Sequence, residues 1–154
     1  MSTLNPPRGR VLIVDDQIEI LAGMKALLEA EGLDVTTHDS MITLPLVLRD
    51  ANPDLILLDL SFGALSGESF FRLGRERLLR KTDAMVVLFS GLPLTQLAAK
   101  AEEFGADGVI PKSDDTMQIV ARVKTLIKQH QYLRIARERT AFSDPTRTAS
   151  APAS

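Results

Sequence analysis

Short apolar runs that end on a polar or charged residue alternate along this chain with longer stretches in which apolar residues recur at helical spacing. The least interrupted run is Leu55-Ile56-Leu57-Leu58, preceded by Asn52-Pro53-Asp54 and followed by Asp59-Leu60. A run this short, unbroken and rich in Ile and Leu predicts a strand buried on both faces, as in a parallel sheet. Three other runs have the same form. Val11-Leu12-Ile13-Val14 ends at Asp15-Asp16, Met85-Val86-Val87-Leu88-Phe89 ends at Ser90, and Gly108-Val109-Ile110-Pro111 ends at Lys112. Residues 34–37 are β-branched in character and predict a weaker strand at a sheet edge.

Helical spacing fills the intervals. Over 17–31 the apolar residues Ile18, Leu21, Met24, Leu27 and Leu28 share one face, and Gly32 supplies a stop. Ser40 is a plausible N-cap for a second helix running to about residue 50. Pro45 lies inside it, where a proline costs ~3 kcal/mol, so the helix either starts near Leu44 or is kinked. A third helix is expected over 68–80, with Phe70, Phe71, Leu78 and Leu79, weakened by ~1 kcal/mol at Gly74. A fourth spans 94–104, closed by Gly105. A fifth, capped by Ser113 or Asp114, carries Met117, Val120, Val123 and Ile127 and meets no clear stop until after Arg139. Strand then helix, five times over, predicts a doubly wound α/β domain with helices on both faces of the sheet. The expected division is a flexible leader at 1–9, one domain at 10–128, and a helical extension with a disordered tail at 129–154. The extension carries Lys128, Arg134, Arg137 and Arg139 beside Tyr132, Leu133 and Ile135. It reads as a solvated continuation of the last helix, with a docking segment or dimer contact as the alternative.

Composition narrows the function classes. Of 154 residues, 45% are apolar and 25% charged, and the formal net charge is -2, which gives no electrostatic reason to expect nucleic acid or an anionic membrane as partner. The chain has no cysteine, so disulfides and thiolate metal sites are excluded. The first ten residues lack the apolar core of a signal peptide, and no apolar run is long enough to span a membrane. A cytoplasmic protein is expected.

Candidate chemistry gathers at the strand ends. In an open parallel sheet, ligands bind in the crevice outside the carboxyl ends of the strands. Strands of one sheet would bring Asp15, Asp16, Asp59, Ser90 and Lys112 to one edge. Mg²⁺ takes oxygen ligands, usually one or two carboxylates completed by water and phosphate oxygens, and Asp15, Asp16 and Asp59 suit it. Without a cation, carboxylates packed this closely repel, and at least one pKa should rise. Asp59 would then be a nucleophile toward phosphorus, forming an aspartyl phosphate. Lys112, Ser90 and a backbone N–H from the 60–63 loop would hold the phosphoryl oxygens. Each residue also has a plain reading. The acidic pair can be a helix cap, Asp59 and Ser90-Gly91 turn residues, and Lys112 a surface cation. Their joint placement at strand ends favours the site.

With these residues in this order, residues 10–128 resemble the receiver domain of response regulators, the CheY-like family of two-component phosphorelays. The resemblance implies a flavodoxin-like five-stranded parallel sheet of order 2-1-3-4-5. It makes Asp15 and Asp16 the acidic pair, Asp59 the phosphoacceptor, Ser90 the switch hydroxyl and Lys112 the family lysine. It places Ser61 where a backbone carbonyl ligates Mg²⁺, and Gly67 at the loop glycine. It further implies a histidine kinase or phosphotransfer protein as donor and an output protein that the sequence does not name. The domain would be a monomer or a phosphorylation-dependent homodimer that catalyses only its own phosphorylation and dephosphorylation.

Three positions depart from the family. Gly63 stands where a proline is usual. Ser113 follows Lys112 where the family often has a cis proline bond, and a cis bond without proline would cost ~3 kcal/mol. Val109 occupies the aromatic switch position, and a valine has one dominant rotamer and little reach. The main competing reading is therefore a phosphorylation-independent interaction module of the same fold. An aspartyl phosphohydrolase is disfavoured because Ser61 replaces its second acid. A flavin binder is disfavoured because Asp15-Asp16 would repel the flavin phosphate.

Overall fold

The computed structural model of the protein describes residues 8–59 and 82–143. Its five strands, β1 (Arg10–Val14), β2 (Asp34–His38), β3 (Leu55–Leu58), β4 (Met85–Ser90) and β5 (Gly108–Pro111), form one parallel sheet of order β2-β1-β3-β4-β5. The described helices are α1 (Ile18–Ala30), α2 (Leu44–Ala51), α3 (Leu94–Phe104) and α4 (Thr116–Ser143). The helix expected over 68–80 and the loop carrying Ser61, Gly63 and Gly67 lie outside the described residues.

The continuous apolar runs are explained by two cores. Val11, Ile13, Leu55, Leu57, Val87, Phe89 and Ile110 face α1 and α4, whereas Leu12, Val14, Ile56, Leu58, Val86 and Leu88 face α2 and α3. Successive side chains of a strand point to opposite faces, so a sheet covered on both sides needs apolar residues at every position. β2, at the edge, buries only Val35 in its burial pattern and keeps its polar threonines.

Local chemistry sets the helix ends. Gly32 has φ 84°, and the bonds Gly32 N–H to Glu29 O and Leu33 N–H to Leu28 O close α1 as a Schellman motif. α2 begins at Leu44 with Pro45 in its first turn, where a missing N–H costs nothing. Ser40 is therefore not its cap; Thr43 holds the N-cap position, without a side-chain cap bond. Asn52 ends α2 in the left-handed region, a conformation that asparagine tolerates. The last helix is capped neither by Ser113 nor by Asp114. Asp115 precedes Thr116, its N–H donates to Gln118 Oε1 at 3.2 Å, and its carbonyl accepts from Ile119, which is the returning half of a capping box.

Two boundaries differ from the sequence reading. Gly9, placed in the leader, is buried, and its carbonyl accepts the Asp34 N–H at 2.8 Å. A Cβ there would lie 2.9 Å from Leu33 and 3.0 Å from Ile127, so any larger residue requires those side chains to shift. At the other end α4 continues past Arg139 to Ser143, 28 residues in all and about 42 Å long. Beyond Ile127 its one buried residue among those described is His130, while Tyr132, Leu133 and Ile135 are exposed.

Candidate functional site

Register brings the strand-end residues level. Val14 pairs with Leu58, so Asp15 and Asp59 leave the sheet side by side, and the Asp59 N–H donates to Val14 O at 3.0 Å. Ser90 pairs with Pro111, and the Lys112 N–H donates to Ser90 O at 2.8 Å, extending that ladder by one bond. Asp15 is tied on its other side by its N–H to His38 O at 3.1 Å. His38 is a support that sequence reasoning did not single out, because only the β1–β2 register reveals it.

The charged groups converge. Carboxylate oxygens of Asp15, Asp16 and Asp59 lie within 4.8 Å of one another. Asp15 and Asp59 are buried and Asp16 is exposed. Lys112 Nζ stands 2.6 Å from Asp15 Oδ2 and 3.2 Å from Asp59 Oδ2. Asp15 Oδ1 accepts the Gln17 N–H at 2.9 Å, an Asx turn leading into α1. Oδ2 has no hydrogen-bond partner beyond its ion pair with that ammonium. Burial pushes the Asp15 carboxyl above its ordinary 3.8, reinforced by the charge of Asp59 and opposed by Lys112 and the Gln17 N–H. The rise expected for a crowded carboxylate is present, but burial outranks repulsion as its cause. Burial works to lower the Lys112 ammonium, yet Asp15 and Asp59 outweigh it and hold it above 10.5.

Ser90 is buried at the same edge, and its Oγ accepts the Leu92 N–H at 3.2 Å. That bond uses a lone pair and leaves the hydroxyl proton for donation. Phe89, read from the sequence only as a strand residue, lies under the site with Lys112 Nζ 5.6 Å from its ring centroid. Val109 is half-buried and packs against the α2–α3 core. No peptide bond among the described residues is cis. Ser61, assigned a backbone carbonyl role, lies outside the described residues.

The donor set fits a hard divalent cation. Three carboxylates, one of them exposed and one with a buried oxygen facing only an ammonium, match the oxygen ligands and open water positions that Mg²⁺ requires.

This fold and strand-end constellation define a receiver, and comparison with known proteins agrees. The family model described as response regulator receiver domain matches residues 11–136, and the chain belongs to that family. It is a signalling domain of two-component systems. The nisin biosynthesis regulatory protein NisR of Lactococcus lactis is 32% identical over 123 residues, covering 79% of this chain and 52% of NisR. The DNA-binding response regulator MtrA of Mycobacterium tuberculosis is 28% identical over 131 residues, covering 80% and 52%. The chain thus spans about half the length of the curated relatives it matches. Among solved structures, the receiver domain of a putative LuxO repressor protein from Vibrio parahaemolyticus superposes with a TM-score of 0.70 at 20% identity, covering 84% of this chain and 97% of that one. A CheY-like receiver from Methanospirillum hungatei gives 0.68 at 22%, covering 81% and 98%. These structural likenesses carry the fold. Among the described residues no helix is long and apolar enough to cross a membrane.

Proposed function

We propose that Asp59 accepts a phosphoryl group, from a histidine kinase or phosphotransfer protein, and that the resulting aspartyl phosphate alters binding to an output protein. The observation that carries this reading is the buried Asp15–Asp59–Lys112 cluster, with ion-pair distances of 2.6 and 3.2 Å. A structural salt bridge needs one carboxylate per ammonium. Two buried carboxylates and an adjacent exposed one exceed that need and suit a cation and an anionic substrate together.

An oxygen of Asp59 attacks phosphorus, the bond from phosphorus to the donor breaks, and the departing imidazole or carboxylate leaves with its electron pair. Asp15, Asp16 and Asp59 would hold Mg²⁺, with the Ser61 carbonyl as a further ligand. When bound, the ion would neutralise carboxylate charge and the charge on the phosphoryl group. Lys112 exchanges part of its contact with Asp59 for a phosphoryl oxygen. Ser90 donates its hydroxyl proton to another. Residues 10–128 are the phosphorylated unit, and residues from 129 are an extension of it. The domain works in the cytoplasm and turns over only its own phosphoryl group.

Mass spectrometry after incubation with acetyl phosphate and Mg²⁺ tests the reading. The wild type should gain one phosphoryl group and Asp59→Asn none. Equal labelling of both would move the acceptor elsewhere. No labelling of the wild type would favour the phosphorylation-independent module. Amide NMR during Mg²⁺ titration should shift Asp15, Asp16 and Asp59 first.

A further inference from the structure

We propose that Phe89 is a positioning residue for Lys112, its ring face holding the ammonium between Asp15 and Asp59. The inference rests on the proposed phosphoryl acceptance at Asp59 and adds a residue to it. Lys112 Nζ lies 5.6 Å from the Phe89 centroid, within the range at which a cation is attracted to a ring face. Phe89 is 2% exposed and the Lys112 side chain 16%, so water screens the contact weakly.

The geometry explains why the lysine needs such a support. A lysine side chain has four flexible carbon links and a compact point charge, and carboxylates alone do not fix its height above the sheet. Its two anionic partners both approach from the β1–β3 side, through Asp15 Oδ2 and Asp59 Oδ2. Phe89 belongs to the neighbouring strand β4, directly before Ser90, and packs with the α1–α4 core. The ring is therefore anchored by the core while its face meets the ammonium from the β4 side. When a phosphoryl group reaches Asp59, Lys112 must turn part of its hydrogen bonding from Asp59 to that group. The ring constrains this to a rotation of the ammonium rather than a swing of the whole chain. Any bulky apolar residue would fill the core at this position. Only an aromatic one presents a negative face to the cation.

The test separates ring electrostatics from packing. Phe89→Met keeps an apolar side chain of similar reach without a π face, and 3,4,5-trifluorophenylalanine placed at position 89 keeps the ring shape while withdrawing its negative face. Val87→Ala perturbs the same core without touching Lys112. The Lys112 ε-methylene should show an upfield ring-current shift in the wild type that Phe89→Met abolishes. Labelling by acetyl phosphate should slow roughly three- to tenfold in both position-89 variants and stay near wild type in Val87→Ala. An unshifted Lys112 in the wild type, or unchanged rates in the trifluoro variant, would overturn the proposal. If the wild type takes no phosphoryl group, the Asp59 reading fails on its own account. The ring-current shift then still decides whether Phe89 holds Lys112.

Discussion

Aspartates occupy both ends of this sheet, and they do different things there. At the amino-terminal edge Asp54 Oδ2 accepts the Arg10 N–H at 2.9 Å and Asp107 Oδ2 accepts the Val86 N–H at 2.8 Å. Each satisfies a backbone donor at the start of a neighbouring strand, the first residue of β1 and the second of β4. At the carboxyl edge Asp15 and Asp59 point at each other and at Lys112 instead. Each of the lower pair is bound to a backbone N–H. The upper group is concentrated, and the Asp15 carboxyl carries a raised pKa. One residue type thus serves strand ends at one edge and builds a charged cluster at the other. Asp15 also accepts a backbone N–H, from Gln17, so the difference lies in the shared ammonium and the neighbouring carboxylates at the carboxyl edge.

The sharpest way to break the contrast is Lys112→Met. The ammonium pairs with two buried carboxylates, and removing one partner of a buried ion pair strands the other. The expected loss is about 3–5 kcal/mol in urea unfolding without divalent cation. Mg²⁺ should restore part of it, and Asp15→Asn in the same background should restore more, because it removes the stranded charge. If Lys112→Met unfolds like the wild type, the cluster is not electrostatically strained.

pH sharpens the same point. The Lys112 ammonium is raised above its ordinary 10.5 on folding, so its contribution is fully present below 10.5 and lost as pH rises through the folded value. Asp15 runs in the opposite sense to a normal salt-bridged carboxylate. Its folded pKa lies above 3.8, so the folded state takes up its proton more readily than the unfolded one. Stability from this group is present at low pH and declines as pH climbs from 3.8 through the raised value. The Asp15 carboxyl carbon, followed by NMR without Mg²⁺, should titrate above 3.8, and higher still in Lys112→Met.

At the lower edge Asp54→Ala should cost about 1–3 kcal/mol, because the Arg10 N–H loses its acceptor. It should leave labelling at Asp59 unchanged. A large loss of labelling would mean that the two ends are coupled through β3.

Much of this organisation was legible in the chain. The apolar runs located four of the five strands, since burial on both faces leaves no polar position to confuse the pattern, whereas the edge strand β2 was legible only from its β-branched residues. Strand ends then located Asp15, Asp16, Asp59, Ser90 and Lys112 without knowledge of a contact. What escaped were features set by neighbours across the sheet. Gly9 looked like leader because the Leu33 and Ile127 side chains above it come from distant positions. Phe89 looked like ordinary core because its proximity to Lys112 depends on how β4 and β5 align. The cap of α4 slipped from Ser113 or Asp114 to Asp115 because three consecutive polar residues offer equal local propensity.

The smallest effect is expected where the geometry looks strongest. Arg134, on the extension of α4, places Nε at 3.0 Å and Nη2 at 2.8 Å from Asp83 Oδ2. This ion pair is as short as any contact at the upper edge except Lys112 to Asp15. Its side chains, however, are 38% and 54% exposed, against 16% and 0% for Lys112 and Asp15. Water already solvates both partners, so the bond replaces hydration rather than rescuing a stranded charge. Ordering two mobile side chains offsets part of the remaining gain. Arg134→Ala should therefore shift urea stability by only about 0.5 kcal/mol, and 0.5 M NaCl should erase most of that difference. A loss above about 2 kcal/mol would show that this bond holds the extension against the sheet, and that distance rather than desolvation ranks the two edges.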